Sequence, residues 1–145
     1  MSSTPPGPGP DTLRGIHVLI VDDNADARTI YTRTLQYAGA AVHAVSSATA
    51  AVRTLKHLRP DVVLTDLAMP RKDGLWLIRW IRARSVARSD RLPVAAITAR
   101  DDLYAETTVT QAGFDLYLRK PVSALELLGA VGKLAGRRSI SERSA

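Results

Sequence analysis

Short apolar runs alternate with longer segments of helical periodicity along most of this chain. Five runs rich in β-branched and aliphatic residues predict strands, at 16–21, 41–45, 61–65, 93–97 and 115–118. The runs are continuously apolar, which is typical of strands buried on both faces. The segments that follow them have apolar residues at helical spacing and predict helices, at 25–38, 48–59, 75–87, 103–112 and 122–135.

Residues at the ends of several helical segments support these boundaries. Gly39 and Gly113 follow two of the predicted helices, where a residue that tolerates a positive φ is favoured. Ser47 is suited to cap the second helix, and Pro60 ends it. A strand followed by a helix, repeated five times, predicts an α/β fold in which helices cover both faces of a five-stranded parallel sheet.

Composition narrows the class of protein without changing this picture. The 145 residues are 46% apolar and 23% charged, which fits one globular domain. The chain has no cysteine, which excludes disulfides, thiolate zinc sites and cysteine nucleophiles. The longest apolar runs are about five or six residues, whereas a membrane span needs roughly 20. The first residues lack the pattern of a signal peptide, so we expect no membrane association and a cytoplasmic location.

The two ends of the chain differ from its centre. Residues 1–13 are rich in Pro and Gly, and residues 136–145 are basic and poor in apolar side chains. Such segments bury too little apolar surface to offset the entropy of ordering. We therefore expect two flexible tails around a folded domain at 14–135.

The net charge is +6, and much of the excess lies in one stretch. Residues 71–91 contain seven basic and two acidic residues. This stretch is either a solvated helix face or a surface for an acidic partner or a phosphate backbone. No helix-turn-helix or base-stacking motif accompanies it, so nucleic-acid binding is not favoured.

Polar residues suited to binding or catalysis follow four of the five predicted strands. They are Asp22, Asp23, Asp66, Thr98 and Lys120. In doubly wound sheets, ligands bind beyond the carboxyl ends of the strands, so these side chains are expected to converge. Singly, an Asp at a strand end often only forms a turn or caps the next helix. Together they form a set that such local roles do not explain.

The convergence of three carboxylates suggests a metal ion and phosphoryl chemistry. Close carboxylates repel one another, and a hard divalent cation relieves that repulsion. Oxygen ligands favour Mg²⁺, with Mn²⁺ as an alternative. A carboxylate such as Asp66 is a competent nucleophile toward phosphorus. The cation, Lys120 and the Thr98 hydroxyl are suited to three phosphoryl oxygens.

The motifs around these residues resemble the receiver domain of response regulators in two-component signalling. The segments that carry the resemblance are Val18-Leu-Ile-Val-Asp-Asp-Asn, Asp66-Leu-Ala-Met-Pro, Asp73-Gly74, Ile97-Thr-Ala and Tyr117-Leu-Arg-Lys-Pro. Each motif is modest alone, but their order and spacing are specific. The resemblance covers about residues 14–135 and implies a flavodoxin-like (βα)5 fold with strand order 2-1-3-4-5.

The resemblance also implies a role for each site residue. Asp66 would accept a phosphoryl group from a kinase phosphohistidine. Asp22 and Asp23, with Asp66 and the backbone carbonyl of Ala68, would hold the metal ion. Lys120 would contact the phosphoryl group.

A conformational switch is implied by the same resemblance. Thr98 would move toward the phosphoryl group, and Tyr117 would rotate inward with it. The face built from the fourth helix, fifth strand and fifth helix would change as a result. The implied partners are a sensor histidine kinase or phosphotransfer protein, and a downstream protein or a covalently linked output. A homodimer through this face is a further implied partner. The chain would be either a free-standing regulator or the receiver of a hybrid histidine kinase.

An aspartate-nucleophile phosphatase or phosphotransferase of the haloacid-dehalogenase type is the alternative. Enzymes of that class carry an Asp-x-Asp motif, in which the first Asp is the nucleophile and the second acts as a general acid. Here the residue two places after Asp66 is Ala68, so that acid is missing. The chain is therefore predicted to be a phospho-accepting signalling domain with slow self-catalysed turnover and not an enzyme.

The third predicted helix carries a further candidate surface. Leu77, Ile78 and Ile81 cluster on one side, which places Trp76 and Trp80 away from their centre. We expect both indoles to be partly exposed, with Arg79 between them, as a possible partner contact. The three histidines have no metal-ligand spacing and are read as structural.

Overall fold

A computed structural model describes residues 10–84 and 91–143 of the chain. The strands are β1 (His17–Val21), β2 (Ala41–Val45), β3 (Val62–Asp66), β4 (Val94–Thr98) and β5 (Leu116–Arg119). The helices are α1 (Ala25–Tyr37), α2 (Ala48–Leu55), α3 (Gly74–Ala83), α4 (Glu106–Ala112) and α5 (Ala124–Arg143). All strand pairs are parallel, and the order is β2-β1-β3-β4-β5, which confirms the predicted fold class and topology.

Helices cover both faces of the sheet, which explains the continuous apolar character of the strands. In β1, Val18 and Ile20 pack into one core with Leu35 of α1 and Leu127 of α5. Leu19 of the same strand enters the other core, where α2, α3 and α4 pack. Successive side chains of a strand point to opposite faces, so a strand covered on both sides needs apolar residues at every position.

Four of the helices begin at a side-chain cap, and in α5 the cap is Ser123, which accepts from the Glu126 N–H at 3.1 Å. Asn24, Ser47 and Asp73 each accept a hydrogen bond from the backbone N–H three residues on, at the start of α1, α2 and α3. Each cap satisfies one N–H that has no partner within its helix. Asn24 and Asp73 therefore fix how the chain leaves the carboxyl edge of the sheet.

The predicted start of the fourth helix at 103 is wrong. α4 begins at Glu106, and Leu103 lies in the preceding turn with 61% of its surface exposed. The apolar side chain suggested a position on the inner face of a helix, but here it does not pack into the core. The second helix likewise ends at Leu55, and the third ends at Ala83. The rest of the predicted third helix lies outside the described residues.

Both predicted tails are wrong at their inner boundaries. Leu13 is only 1% exposed, and its N–H donates to the Ala38 carbonyl oxygen at 2.7 Å, so it belongs to the folded domain. α5 continues to Arg143, eight residues past the predicted domain end at 135. Polar composition does not stop a helix that is already nucleated and meets no proline. Residues 1–9 and 144–145 lie outside the described residues.

Within the described part of the chain, none of the helices combines the length and the hydropathy that a membrane crossing requires.

Candidate functional site

The carboxyl ends of β1 and β3 bring three acidic side chains together. These strands are neighbours in the sheet, with Val21 paired to Thr65, so the residues that follow them share one edge. One carboxylate oxygen each from Asp22, Asp23 and Asp66 lies within 4.8 Å of the other two. This is the edge at which the strand order reverses, where open α/β sheets bind ligands. The predicted convergence of the three carboxylates is present.

Lys120 reaches this cluster from the end of β5. Its Nζ donates a hydrogen bond to Asp22 Oδ2 at 3.0 Å and lies 3.5 Å from Asp66 Oδ2. Burial alone lowers the pKa of an ammonium group. Here the hydrogen bond to Asp22 and the charges of Asp66 and Asp22 outweigh burial and raise the pKa of Lys120. The lysine is thus held in its charged form.

Asp66 is the acidic group most affected by its surroundings. It is the last residue of β3 and is only 7% exposed. Burial raises the pKa of Asp66 to about 6; Lys120 opposes the rise, whereas Asp22 and Asp23 add to it. One ammonium faces three carboxylates, so negative charge remains in excess. A hard divalent cation with oxygen ligands fits this donor set.

Local hydrogen bonds orient Asp22 toward the cluster. Its Oδ1 accepts from the Asn24 backbone N–H at 2.9 Å, and the Arg28 guanidinium donates to its carbonyl oxygen at 2.7 Å. Asn24 in turn caps α1 by accepting from the Ala27 N–H. Asp22 is 1% exposed, whereas Asp23 beside it is open to solvent. The pair therefore presents one rigid and one accessible carboxylate.

Gly74 is a site residue that the sequence analysis included only as part of the Asp73-Gly74 motif. A Cβ at this position would lie 2.6 Å from the Asp66 carbonyl oxygen and 2.9 Å from the Leu67 Cα. The Gly74 N–H donates to the Leu67 carbonyl oxygen at 2.9 Å. The start of α3 is thus pressed against the backbone of the acidic residue, and this close approach requires glycine.

Tyr31 of α1 also borders the site and was not predicted to do so. It is 6% exposed. Burial raises the pKa of its hydroxyl; Lys120 opposes the rise, and Asp22 and Asp66 add to it. The available signal was its spacing of four from the buried Leu35, which placed it on the inner face of α1 without showing what it would meet.

Thr98 and Tyr117 lie on the adjacent strands β4 and β5. Thr98 is buried, and its Oγ1 accepts from the Arg100 backbone N–H at 2.9 Å. The half-buried Tyr117 donates its hydroxyl to the Tyr104 carbonyl oxygen at 2.8 Å. The Tyr104 hydroxyl then donates to Asp73 Oδ2 at 3.1 Å. The loop between β4 and α4 is therefore connected to both β5 and the start of α3.

The remaining predicted residues lie around the edge of the site or outside it. Ala68 is half-buried in the loop after β3. Trp76 and Trp80 are half-buried on α3, which confirms their expected partial exposure, and Arg79 is exposed. The cations that cover the indoles are Lys72, 4.3 Å from the Trp76 ring centroid, and Arg84, 4.7 Å from that of Trp80.

Comparison with known protein families agrees with this geometry. The family model described as "response regulator receiver domain" matches residues 18–132. The chain belongs to the response regulator receiver domain family. The predicted resemblance is thereby confirmed, and the carboxylate cluster lies within the matched region of this receiver domain.

Relatives and solved structures give the same result. "Response regulator MprA" of Mycobacterium sp. (strain KMS) is 35% identical over 127 residues, which cover 88% of this receiver chain and 54% of MprA. An uncharacterized 14.6 kDa protein in the sodA1 3′ region of Leptolyngbya boryana is 35% identical over 83% of this chain and 90% of its own length. This receiver chain thus spans about half the length of the MprA relatives it matches.

A solved receiver domain offers a structural comparison. The receiver domain of sensor histidine kinase PA1611 from Pseudomonas aeruginosa is 33% identical, with a TM-score of 0.75 over 84% of this chain and 98% of that domain. That structure is described with a magnesium ion coordinated in its active-site cleft.

Proposed function

We propose that this receiver domain is a phosphorylation-dependent switch in which Asp66 accepts a phosphoryl group from a phosphohistidine. An Asp66 carboxylate oxygen attacks the phosphorus, the phosphorus–nitrogen bond breaks, and the histidine leaves as an imidazole. The product is an aspartyl phosphate. The observation that carries this proposal is the position of Asp66, which is buried at the end of β3 and 3.5 Å from the Lys120 ammonium.

Mg²⁺ or Mn²⁺ is the proposed cofactor. Receiver domains bind Mg²⁺ at an acidic cluster, and the three close carboxylates of Asp22, Asp23 and Asp66 supply oxygen donors of the required type. The backbone carbonyl of Ala68 is proposed as a further ligand. When bound, the ion neutralises charge on the phosphoryl oxygens. The magnesium ion described for the PA1611 receiver supports this assignment.

Lys120 and Thr98 are proposed to contact the phosphoryl group directly. Lys120 is already charged and directed at the cluster, so it stabilises added negative charge without rearranging its partners. The Thr98 hydroxyl gains a hydrogen bond only in the phosphorylated state. That differential interaction is what shifts the equilibrium between two conformations.

Tyr117 is proposed to transmit the change to the surface. Its hydroxyl donates a hydrogen bond to the Tyr104 carbonyl oxygen, which links β5 to the loop between β4 and α4. Movement of Thr98 alters this loop, and Tyr117 rotates inward. The affected face consists of α4, β5 and α5, which we propose as the binding surface for a downstream protein, a covalently linked output or a second copy of the chain.

The proposed donor is a sensor histidine kinase or a phosphotransfer protein in the cytoplasm. A free-standing regulator and the receiver of a hybrid histidine kinase both fit this role. Receiver domains of kinases are among the solved structures similar to this chain.

A phosphatase of the haloacid-dehalogenase type is not supported. Its general acid would stand two residues after the nucleophile, and Ala68 occupies that position. The small Ala68 and Ala99 side chains leave water access to the acyl phosphate, so we expect no unusual protection of the phosphoryl group. A phosphoryl half-life of many hours would contradict that expectation.

Incubation with acetyl phosphate and Mg²⁺, followed by the time course of phosphate release, tests the proposed function. A switch incorporates one phosphoryl group per chain and turns over about once in seconds to hours, whereas an enzyme turns over at about 1 to 10³ per second. Thr98→Ala and Tyr117→Ala are expected to accept the phosphoryl group but to lose the NMR shift changes in α4, β5 and α5. Rapid turnover, or unchanged shifts in wild type, would contradict the proposal.

A further inference from the structure

The helical layer that contains α2 and α3 carries the larger part of the positive charge of the helices. Segments 48–60 and 74–84, which contain α2 and α3, hold six Lys or Arg residues and no Asp or Glu. On the opposite layer, α1 and α5 hold six basic and three acidic residues, and α4, which packs on the same layer as α2 and α3, adds Glu106. We define the basic face as the exposed cations Arg53, Lys56, Lys72, Arg79 and Arg84.

Both tryptophans of the chain lie on the basic face. Trp76 and Trp80 are one turn apart on α3, and each ring is covered by a cation, Lys72 and Arg84 respectively. Half-buried indoles next to arginine are the side chains that most often dominate the energy of protein interfaces. Because these cations lie over an apolar surface, they attract an opposite charge more strongly than cations in open solvent do.

A cavity of about 340 Å³ opens between the end of α2 and the end of α3. Its lining includes the apolar residues Leu55, Leu58, Trp80 and Ile81 and the basic residues Lys56 and Arg84. Leu58 is 40% exposed, so the cavity presents apolar surface to solvent. This volume is at the small end of the range for ligand pockets and suits one or two apolar side chains.

We propose that the basic face is a docking surface for an acidic amphipathic helix of a protein partner. Carboxylates of the helix would meet the cations of the face, and an apolar side chain would enter the cavity. This combination matches the helix-in-groove mode, in which apolar anchors give affinity and charges give orientation. The exposed features of α3 thereby form one surface: the tryptophans, Arg79 and the cavity contact the same partner.

Two other occupants fit the observations less well. Nucleic acid uses aromatic side chains as stacking platforms, but here Lys72 and Arg84 cover the indole rings. A phosphate backbone also has no apolar group to fill the cavity. A second copy of this chain would place two basic faces against each other, and like charges oppose that contact.

The cavity of the docking surface is separate from the phosphoryl-acceptor site. The cavity lies at the end of α3 away from Asp73, the residue that caps α3 beside the acidic edge. The inference therefore does not rest on the proposed function, and binding is expected in both phosphorylation states. An Asp66→Asn variant is expected to bind the partner as wild type does.

The test is a fluorescence titration with a synthetic helical peptide that has leucines on one face and glutamates on the others. Trp76 and Trp80 are the only tryptophans in the chain, so they report binding at this face directly. We expect a saturable change that weakens as salt is added. The charge reversal Arg79→Glu with Arg84→Glu is expected to weaken binding at least about tenfold, and Leu58→Ser by a smaller factor.

A matched reversal on the opposite layer, Arg33→Glu with Lys133→Glu, changes the net charge equally and is expected to leave binding within about twofold. Circular dichroism verifies that each variant is folded. Equal loss in the control pair, equal binding of a peptide with lysine in place of glutamate, or no binding at all would overturn the proposal. Tighter binding of a single-stranded oligonucleotide than of the acidic peptide would also overturn it.

Discussion

The two ends of the central sheet hold charged clusters of opposite character. At the amino end, before β5, Asp115 pairs with Arg82 and Arg91 at 3.0 Å each and accepts the Val94 backbone N–H at 2.9 Å. At the carboxyl end, Lys120 pairs with two of three close carboxylates, those of Asp22 and Asp66. The Asp115 carboxylate is thus paired with two cations at the amino end, whereas carboxylates outnumber the ammonium group at the carboxyl end.

The difference separates a structural cluster from a functional one. The paired charges join α3, β4 and β5, and the Arg82 guanidinium also donates to the Leu92 and Gly113 carbonyl oxygens. Such pairing stabilises the fold once its partners are in place. The excess negative charge at the other end opposes folding until a cation or an added group offsets it. Removing a carboxylate should therefore have opposite effects at the two ends.

The largest expected effect is at the amino end. Asp115→Ala is predicted to lower the free energy of unfolding by about 3 kcal/mol, because Arg82 and Arg91 lose their carboxylate partner and the Val94 N–H loses its acceptor in a half-buried position. Urea denaturation measures the change. Asp102→Ala, which breaks an exposed pair with Arg100, is the control and should leave stability unchanged. Equal losses in both variants would remove the distinction between paired and exposed clusters.

Asp66→Asn should act in the opposite direction. Without divalent cations at pH 7, the variant is predicted to gain about 1 to 2 kcal/mol, because the pKa of Asp66 is raised to about 6 and ionisation opposes folding. The native state binds more protons than the unfolded state between about pH 4 and the raised pKa. The stability contribution of Asp66 is therefore full below this window and falls as pH rises through it.

Urea denaturation of both proteins across that pH range, with a chelator present, gives the comparison. The wild type should lose stability relative to Asp66→Asn as pH rises. If the variant is less stable than wild type at pH 7, or if the two proteins lose stability in parallel with pH, charge repulsion at the carboxyl end does not destabilise the fold.

Divalent cations should offset the excess negative charge at the carboxyl end of the sheet and so reduce its difference from the amino end. Millimolar Mg²⁺ is predicted to stabilise the wild type by about 1 kcal/mol, since a ligand bound only by the native state adds stability by mass action. Asp23→Asn should remove most of this gain, because Asp23 is the accessible member of the carboxylate cluster. Thermal unfolding with and without Mg²⁺ measures it. The same gain in wild type and variant would place the ion elsewhere.

The smallest effect is expected from a paired group at the carboxyl end. Tyr104→Phe removes the hydroxyl that donates to Asp73, and should lower the free energy of unfolding by about 0.5 to 1 kcal/mol. Tyr37→Phe, at an exposed position, is the matched control. A gain in stability on Tyr104→Phe would show that strain extends beyond the acidic cluster.

The fold and the acidic site were predictable because both follow from local patterns. Strands buried on both faces read as apolar runs, and a parallel sheet then places their final residues on one edge. Asp22, Asp66 and Lys120 are far apart in the chain, yet each is defined by its place after a strand. The one further fact that the site requires is the strand order, which makes β1 and β3 neighbours in the sheet.

What the sequence did not reveal depends on contacts between distant segments. Leu103 is apolar without a core partner, whereas Leu13 follows a polar segment and is buried by the turn after α1. The role of Gly74 requires the position of the Asp66 carbonyl, and that of Tyr31 requires the position of Lys120. Periodicity identifies an inner face, but it does not state which atoms that face meets.

Intact mass after incubation with acetyl phosphate and Mg²⁺ tests the central claim, that Asp66 is the phosphoryl acceptor, most directly. Wild type is predicted to gain the mass of one phosphoryl group, and Asp66→Asn to gain none under the same conditions. An equal gain in the Asp66→Asn variant, or no gain in the wild type, would contradict the account.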